Sequence, residues 1–132
     1  MPVTWTIDSS RRRSVVVITD PYTIDDWRAA MNDVLAHPQF GPDFDFLIDR
    51  RLATAPTTAY LRHGIDFMLA HAPRIGQVRA AAVVADTPVA LGMSHLAATM
   101  AEMKGAALAL RTFASMEDAE RWLAVGAPAT TT

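Results

Sequence analysis

The stretch FDFLIDRRLATAPTT, residues 44–58, decides the fold of this chain because a strand ends in it and a helix begins. Its first half alternates apolar and acidic side chains, which is the period of two of a β-strand with unlike faces. The strand ends in Arg50 and Arg51, and after a turn rich in threonine and proline, Thr57 or Thr58 caps an amphipathic helix. Open α/β sheets bind ligands and partners where strands end and helices begin, so this junction is the first candidate for a functional site.

The residues before this junction predict a β-hairpin and a helix. Residues 3–7 alternate apolar and polar, and residues 14–18 form a β-branched run that is typical of a more central strand. The short link between them predicts antiparallel pairing, and the arginines at 11–13 are interpreted as part of its solvated turn. Residues 24–37 show helical apolar spacing, and Pro38 ends that helix.

The residues after the junction alternate helices with strands. A strand of small residues at 80–85 leads into a long helix that begins at Pro88. A last strand at 108–113 precedes a short helix that Trp122 and Leu123 are expected to anchor to the sheet.

The element order ββαβαβαβα places the chain in the α/β class, with a mixed sheet, right-handed parallel crossovers and helices packed on the sheet. A chain of 132 residues fits one domain, which we assign to residues 1–125, and residues 126–132 are expected to form a disordered tail. The predicted buried residues of the sheet are Val15, Val17, Phe46, Ile48, Val83, Val84 and Leu110.

Composition restricts the classes of partner and the compartment. The formal charge of -2 gives no field that would hold a nucleic acid, so none is expected as a partner. The chain has no cysteine, which suits a reducing compartment. The first residues lack the pattern of a signal peptide, and no apolar run approaches the ~20 residues that span a bilayer. We therefore expect a cytoplasmic protein without a membrane span.

No catalytic or metal-binding arrangement is visible in the sequence. The four histidines are scattered, and no pair has the spacing that places two imidazoles on one side of a helix. Neither a glycine-rich phosphate loop nor a nucleophile elbow is present. We therefore predict no metal, no cofactor and no catalytic residue, and an enzyme that uses His63 or His71 with an aspartate ranks last among the functions.

The junction itself is a candidate site for an anion or an acidic partner. Arg50 and Arg51 follow a strand, and the free N–H groups of the next helix start lie within a few residues. Together with Thr54, Thr57 and Thr58 they form the predicted site, and the alternative is that both arginines only solubilise the strand end.

The methionines suggest a second candidate site. Thioether side chains on helices that cover the sheet suit an adaptable apolar cavity, and plain core packing is the alternative. The predicted cavity residues are Met68, Met93, Met100 and Met103.

Three segments resemble a known family: FLIDRR running into a helix, AAAVVADTPVALGMSHLAATMAE as a strand and long helix, and the ending LRTFASMEDAERWL. In this order they resemble the SpoIIAA-like (STAS-type) small bacterial proteins, whose fold is shared by anti-sigma-factor antagonists and, in looser form, by CRAL-TRIO lipid-binding domains. The resemblance implies a regulatory protein with a phosphorylatable residue at the start of the second helix, where this chain has Thr54, Thr57 and Thr58.

Two functions remain open at this level. The first is a non-enzymatic interaction or regulatory module of the STAS type, which meets a protein partner or forms a homodimer. The second, implied by the resemblance to CRAL-TRIO domains, is a carrier or sensor of a small apolar or lipid-like ligand.

Overall fold

A computed structural model describes residues 2–106 and 108–125 as one α/β unit, and the tail predicted at 126–132 lies outside the described residues. It contains a five-stranded sheet and five helices. In chain order the elements are β1 Val3–Asp8, β2 Arg13–Thr19, α1 Ile24–Ala36, β3 Asp45–Leu52, α2 Thr58–Ala70, α3 Ala72–Ile75, β4 Val78–Val83, α4 Pro88–Met103, β5 Leu108–Phe113 and α5 Met116–Ala124.

The strands follow one another across the sheet in the order β1-β2-β3-β4-β5. β1 pairs antiparallel with β2, and the other three pairs are parallel. Right-handed crossovers that always advance in the same direction place their helices on one side of a sheet. Accordingly, α1, α2 and α4 share one side, which we call the three-helix face, and α5 packs on the opposite side, the α5 face.

The main core lies between the sheet and the three-helix face. Trp27 is 8% exposed, as its place on the apolar stripe of α1 predicts. It packs with buried residues of the sheet and of α1, among them Val16, Ile18, Met31, Val34, Phe46 and Ala80.

A smaller core lies on the α5 face. Leu123 and Ala119 of α5 are buried there against Leu47, Ala81 and Val83 of the sheet. α5 packs on β3, β4 and β5. The apolar residues of β2 on this face are therefore left half-buried.

The α/β class and the mixed sheet are confirmed, and several details differ from the sequence-based expectation. The link after α2 contains a one-turn helix, α3, that was not predicted. Of the seven predicted core residues, Phe46, Val83 and Val84 are buried. Val15 and Val17 are half-buried because they lie on the sparsely covered α5 face. Ile48 and Leu110 are half-buried because they line the cavity described below.

The arginine run at 11–13 also differs from the prediction. Arg11 and Arg12 lie in the turn, and Arg12 has a φ of 53°, in the left-handed region. Arg13 begins β2 and is 6% exposed, so it is not part of a solvated turn.

None of the helices within residues 2–106 and 108–125 combines the length and the apolar character that a membrane crossing needs.

The buried end of α5 gives a test of the α5 face. Leu123 is 3% exposed, so Leu123→Ala should lower the free energy of unfolding by about 2–5 kcal/mol through lost burial and the cavity left behind. Val125→Ala is the matched control, because Val125 is 77% exposed and its truncation should change little. Chemical denaturation measures both, and equal midpoints would mean that α5 is not anchored through Leu123.

Candidate functional site

The two arginines of the junction point to opposite faces of the sheet because successive side chains of a strand alternate. Arg51 faces away from the three helices and pairs with Asp49, at 2.9 Å between Nη2 and Oδ2. Hydrogen bonds from Arg51 hold the pKa of Asp49 below its ordinary value. Arg50 lines the space under the three-helix face instead. The predicted site that used both arginines is therefore divided between the two faces.

Arg50 is held by two tyrosines. Its Nη2 donates to the Tyr22 hydroxyl at 2.7 Å, and that hydroxyl donates to the Thr54 carbonyl at 2.9 Å. The guanidinium carbon lies 4.8 Å from the centre of the Tyr22 ring and 5.4 Å from that of Tyr60, within the range of cation–π attraction. The two rings meet edge to face at 5.2 Å. Arg50 is half-buried, and within residues 2–106 and 108–125 no carboxylate forms an ion pair with it.

The carboxylate of Asp20, in the loop after β2, is already hydrogen-bonded to Thr54. Its carboxylate accepts hydrogen bonds from the Thr54 N–H and from the Thr54 hydroxyl, each at 3.0 Å. These bonds tie the loop after β2 to the loop after β3. Asp20 therefore fixes the backbone whose Thr54 carbonyl accepts from Arg50 at 3.3 Å.

The remaining threonines of the predicted site differ in role. Thr57 is the N-cap of α2, and its hydroxyl accepts a hydrogen bond from the Tyr60 N–H at 3.1 Å. Thr58 begins the helix and is exposed. The Thr57 cap satisfies one of the free N–H groups at the start of α2. The charged group beside this helix start is Arg50, which lies between the rings of Tyr22 and Tyr60.

An apolar cavity of about 140 Å³ extends from Arg50 between the sheet and the three helices. α2 makes its principal contacts with α1 and α4 and bridges the space above the middle strands. α4 presents three small residues toward the cavity, Ala90, Ser94 and Ala97. Ala80 and Ala82 of β4 lie on the opposite wall. Because the residues on both walls are small, the sheet and α4 do not fill the space between them.

The methionines predicted to line a cavity are placed differently. Met68 lies on the cavity wall. Met93 and Met100 are half-buried outside that wall, and Met103 is 81% exposed. The inward side of α4 consists of small residues, so its methionines are turned away from the cavity.

The histidines named for an enzymatic alternative have structural surroundings. His71 stacks on Phe67 with ring centres 4.1 Å apart, and its Nδ1 lies 2.9 Å from the Phe67 carbonyl. His63 is exposed. Across residues 2–106 and 108–125, no three side chains of the metal-binding types converge.

Tyr22, Tyr60 and the small residues of α4 belong to the site but were not predicted from the sequence. Nothing in their local pattern marks them, because their role depends on contacts between segments far apart in the chain. A signal was present in the small residues of the fourth strand, which were interpreted only as allowing close helix packing.

Tyr60 gives a pH test of this region. Burial raises the pKa of its hydroxyl, against the opposing effect of the nearby Arg50 charge. Above the ordinary tyrosine pKa of about 10, the unfolded chain loses a proton that the folded chain keeps. The free energy of unfolding should therefore fall as the pH rises above about 10, and less steeply in Tyr60→Phe. Denaturation curves measured from about pH 8 to about pH 11 decide this, and equal slopes for the two proteins would contradict it.

Comparison of this chain with protein-family models, with curated proteins and with solved structures finds no match.

Proposed function

We propose that this protein is a non-enzymatic carrier or sensor of a small molecule that places an apolar body in the cavity and an acidic group on Arg50. One observation carries the proposal. A half-buried arginine, held between Tyr22 and Tyr60 without a carboxylate partner in the described part of the chain, stands on the wall of an otherwise apolar cavity.

The size of the cavity limits the apolar body. A volume of about 140 Å³ is close to that of cavities of roughly 150 Å³ that bind benzene in other proteins. It is well below the roughly 300–1,000 Å³ of pockets that take drug-sized ligands. The ligand therefore has one small ring or a short alkyl chain of about six carbons. A long lipid chain would extend beyond this space.

The charge of the site favours an acidic group on the ligand. A guanidinium can form two parallel hydrogen bonds with one carboxylate, and such bonds gain strength where water is partly excluded. The chain as a whole has a net charge of -2 and does not attract anions. Attraction for a carboxylate is therefore local to Arg50.

The composition of the wall supports binding rather than catalysis. Most of the described wall residues are apolar, and none of them is a histidine, an aspartate or a glutamate. The Ser94 hydroxyl on the wall is hydrogen-bonded to the hydroxyl of Thr112. General acid–base catalysis uses a titratable group within reach of the substrate, and these wall residues supply none of the usual carboxylates or imidazoles.

Arg50 and Arg51 form a matched pair for the test. Arg50→Gln should weaken binding of a small aromatic carboxylate such as phenylacetate by about tenfold or more, because a charge-assisted hydrogen bond is lost. Arg51→Gln removes the same charge from the opposite face and should leave binding unchanged. Titration followed by NMR compares both variants with wild type, with benzyl alcohol as the uncharged ligand.

Two outcomes would contradict the proposal. The first is equal loss of phenylacetate binding in the two variants, which would indicate general charge attraction. The second is unchanged binding in Ala97→Leu, whose added carbons project into the cavity from α4. This variant should block both ligands while the folded protein keeps its native spectrum.

A regulatory module that self-associates is the second candidate, and the outward side of α4 supports it. Apolar residues recur there at alternating spacings of four and three, which places them on one stripe of the helix. Val89 is 66% exposed, Leu96 is 36% exposed and Met103 is 81% exposed. The stripe is completed by the half-buried Met93 and Met100. Such spacing is typical of the apolar seam between paired helices.

Leu96→Asp tests this second candidate. If two copies pair through α4, a charge in the centre of the stripe should convert a dimer to a monomer because the charge would be buried without a partner. Leu52→Asp is the control, because Leu52 is 76% exposed at the end of β3 and lies outside the stripe. Sedimentation equilibrium at micromolar concentration measures the mass of each, and a monomeric wild type would exclude this pairing.

A further inference from the structure

A different arginine, Arg13, is buried without a partner on the α5 face. It is 6% exposed, and its Nε is buried without a hydrogen bond. Among the described residues, no ion pair or hydrogen bond to its side chain is present. A guanidinium cannot shed its charge by losing a proton, so Arg13 stays a cation although its Nε has no hydrogen bond and most of the side chain is removed from water.

The two acidic residues that flank Arg13 in the sheet are taken up by other groups. Asp8 lies opposite it on β1, and its carboxylate accepts from the Ser10 hydroxyl at 2.7 Å and from the Arg11 N–H at 3.2 Å. Asp45 lies opposite it on β3 and pairs with Arg79, at 2.6 Å between Oδ2 and Nη2. Neither carboxylate comes within ion-pair distance of Arg13.

Arg13 lines an open groove beside α5 whose wall carries further arginines and also carboxylates, those of Asp43, Asp45, Glu102, Glu117 and Glu120. The guanidinium carbons of Arg79 and Arg111 each lie 5.6 Å from the ring centre of Trp122. Arg79 is committed to Asp45 and to carbonyls at the end of α5. Arg111 is exposed and has no carboxylate within ion-pair distance among the described residues, but it lies on β5, three strands away from Arg13 on β2.

We propose that this groove is a second ligand site, in which Arg13 binds a compact oxyanion, a phosphoryl or carboxylate group. Desolvation of Arg13 makes an anion more favourable here than at an exposed arginine, because the cost of removing the cation from water has already been met by folding. The planar fork of the guanidinium matches two oxygens of such a group. The site lies on the opposite face of the sheet from Arg50, so it stands independently of the ligand proposed for the cavity.

The test compares Arg13→Met with wild type in thermal unfolding, with inorganic phosphate or acetate added at constant ionic strength. Phosphate, acetate or both should raise the Tm of wild type, and the anion that does so identifies the chemistry of the ligand. Arg13→Met keeps an unbranched apolar stem and removes the buried charge. It should be at least as stable as wild type without the anion, and it should lose the rise in Tm.

Arg121→Met is the matched control, because Arg121 lines the same groove but is exposed and pairs along its own helix with Glu117 and Asp118. It should keep the rise in Tm. An equal rise in wild type and Arg13→Met, or no rise in wild type with either anion, would overturn the proposal.

A second measurement does not depend on the variant being folded. NMR titration of wild type with the same anions should shift the backbone amides around Arg13, with an apparent affinity that Arg13→Lys weakens about tenfold or more, because a point charge replaces the fork. Shifts confined to the loop around Arg50 would assign the anion to the other face and also overturn the proposal.

Discussion

The right-handed sense of the parallel crossovers constrains every other feature of this molecule. The strands are added in one direction across the sheet, so the three crossover helices have only one face to cover. On that face, α2 contacts α1 and α4 and bridges between them above a cavity. The other face has only α5 among the described helices, so a groove remains open beside it. Both candidate sites follow from this uneven division of helices.

Three arginines of the sheet have different surroundings although they are the same type of residue. Arg51 pairs with Asp49 and is exposed, which is an arrangement that contributes little to stability. Arg50, its neighbour in the chain, faces the other side and is held by two tyrosine rings. Arg13 is buried without a partner among the described residues. A sequence pattern that counts adjacent arginines as one basic cluster misses these differences, because the alternation of the strand separates them.

Local signals predicted the elements well. The capping box of Thr23 and Asp26, the Thr87 cap before Pro88, and the Ser115 cap of the last helix all lie where the sequence indicates. The short helix α3 was missed because its four residues, which include Pro73, are too few for a periodic pattern.

The site was less predictable because it depends on how two layers meet. On α4, the larger apolar residues predict an inward stripe, yet the buried residues are Ser94, Ala97 and Ala101. Helical periodicity cannot decide this choice where a helix is apolar on several sides. The small residues of α4 face the small alanines of β4, and the space that neither layer fills is the cavity. Of the tyrosines around Arg50, Tyr22 lies in the loop before α1 and Tyr60 lies in the first turn of α2, and no spacing in the chain connects them.

Both candidate sites lower the stability of the free protein, and this links them to ligand binding. An empty closed cavity of about 140 Å³ would lower the free energy of unfolding by roughly 3 kcal/mol, and the penalty here is smaller because this cavity is open on one side. A desolvated arginine without a carboxylate adds a further penalty. These are large effects against a typical total of about 5–15 kcal/mol for a domain. A ligand that fills the cavity, or an anion that reaches Arg13, removes the corresponding penalty, so each bound state is stabilised beyond the contacts that the ligand itself makes. Stability alone would favour a larger residue at position 97 and an apolar residue at position 13, and the two proposed binding sites would account for the alanine and the arginine that stand there.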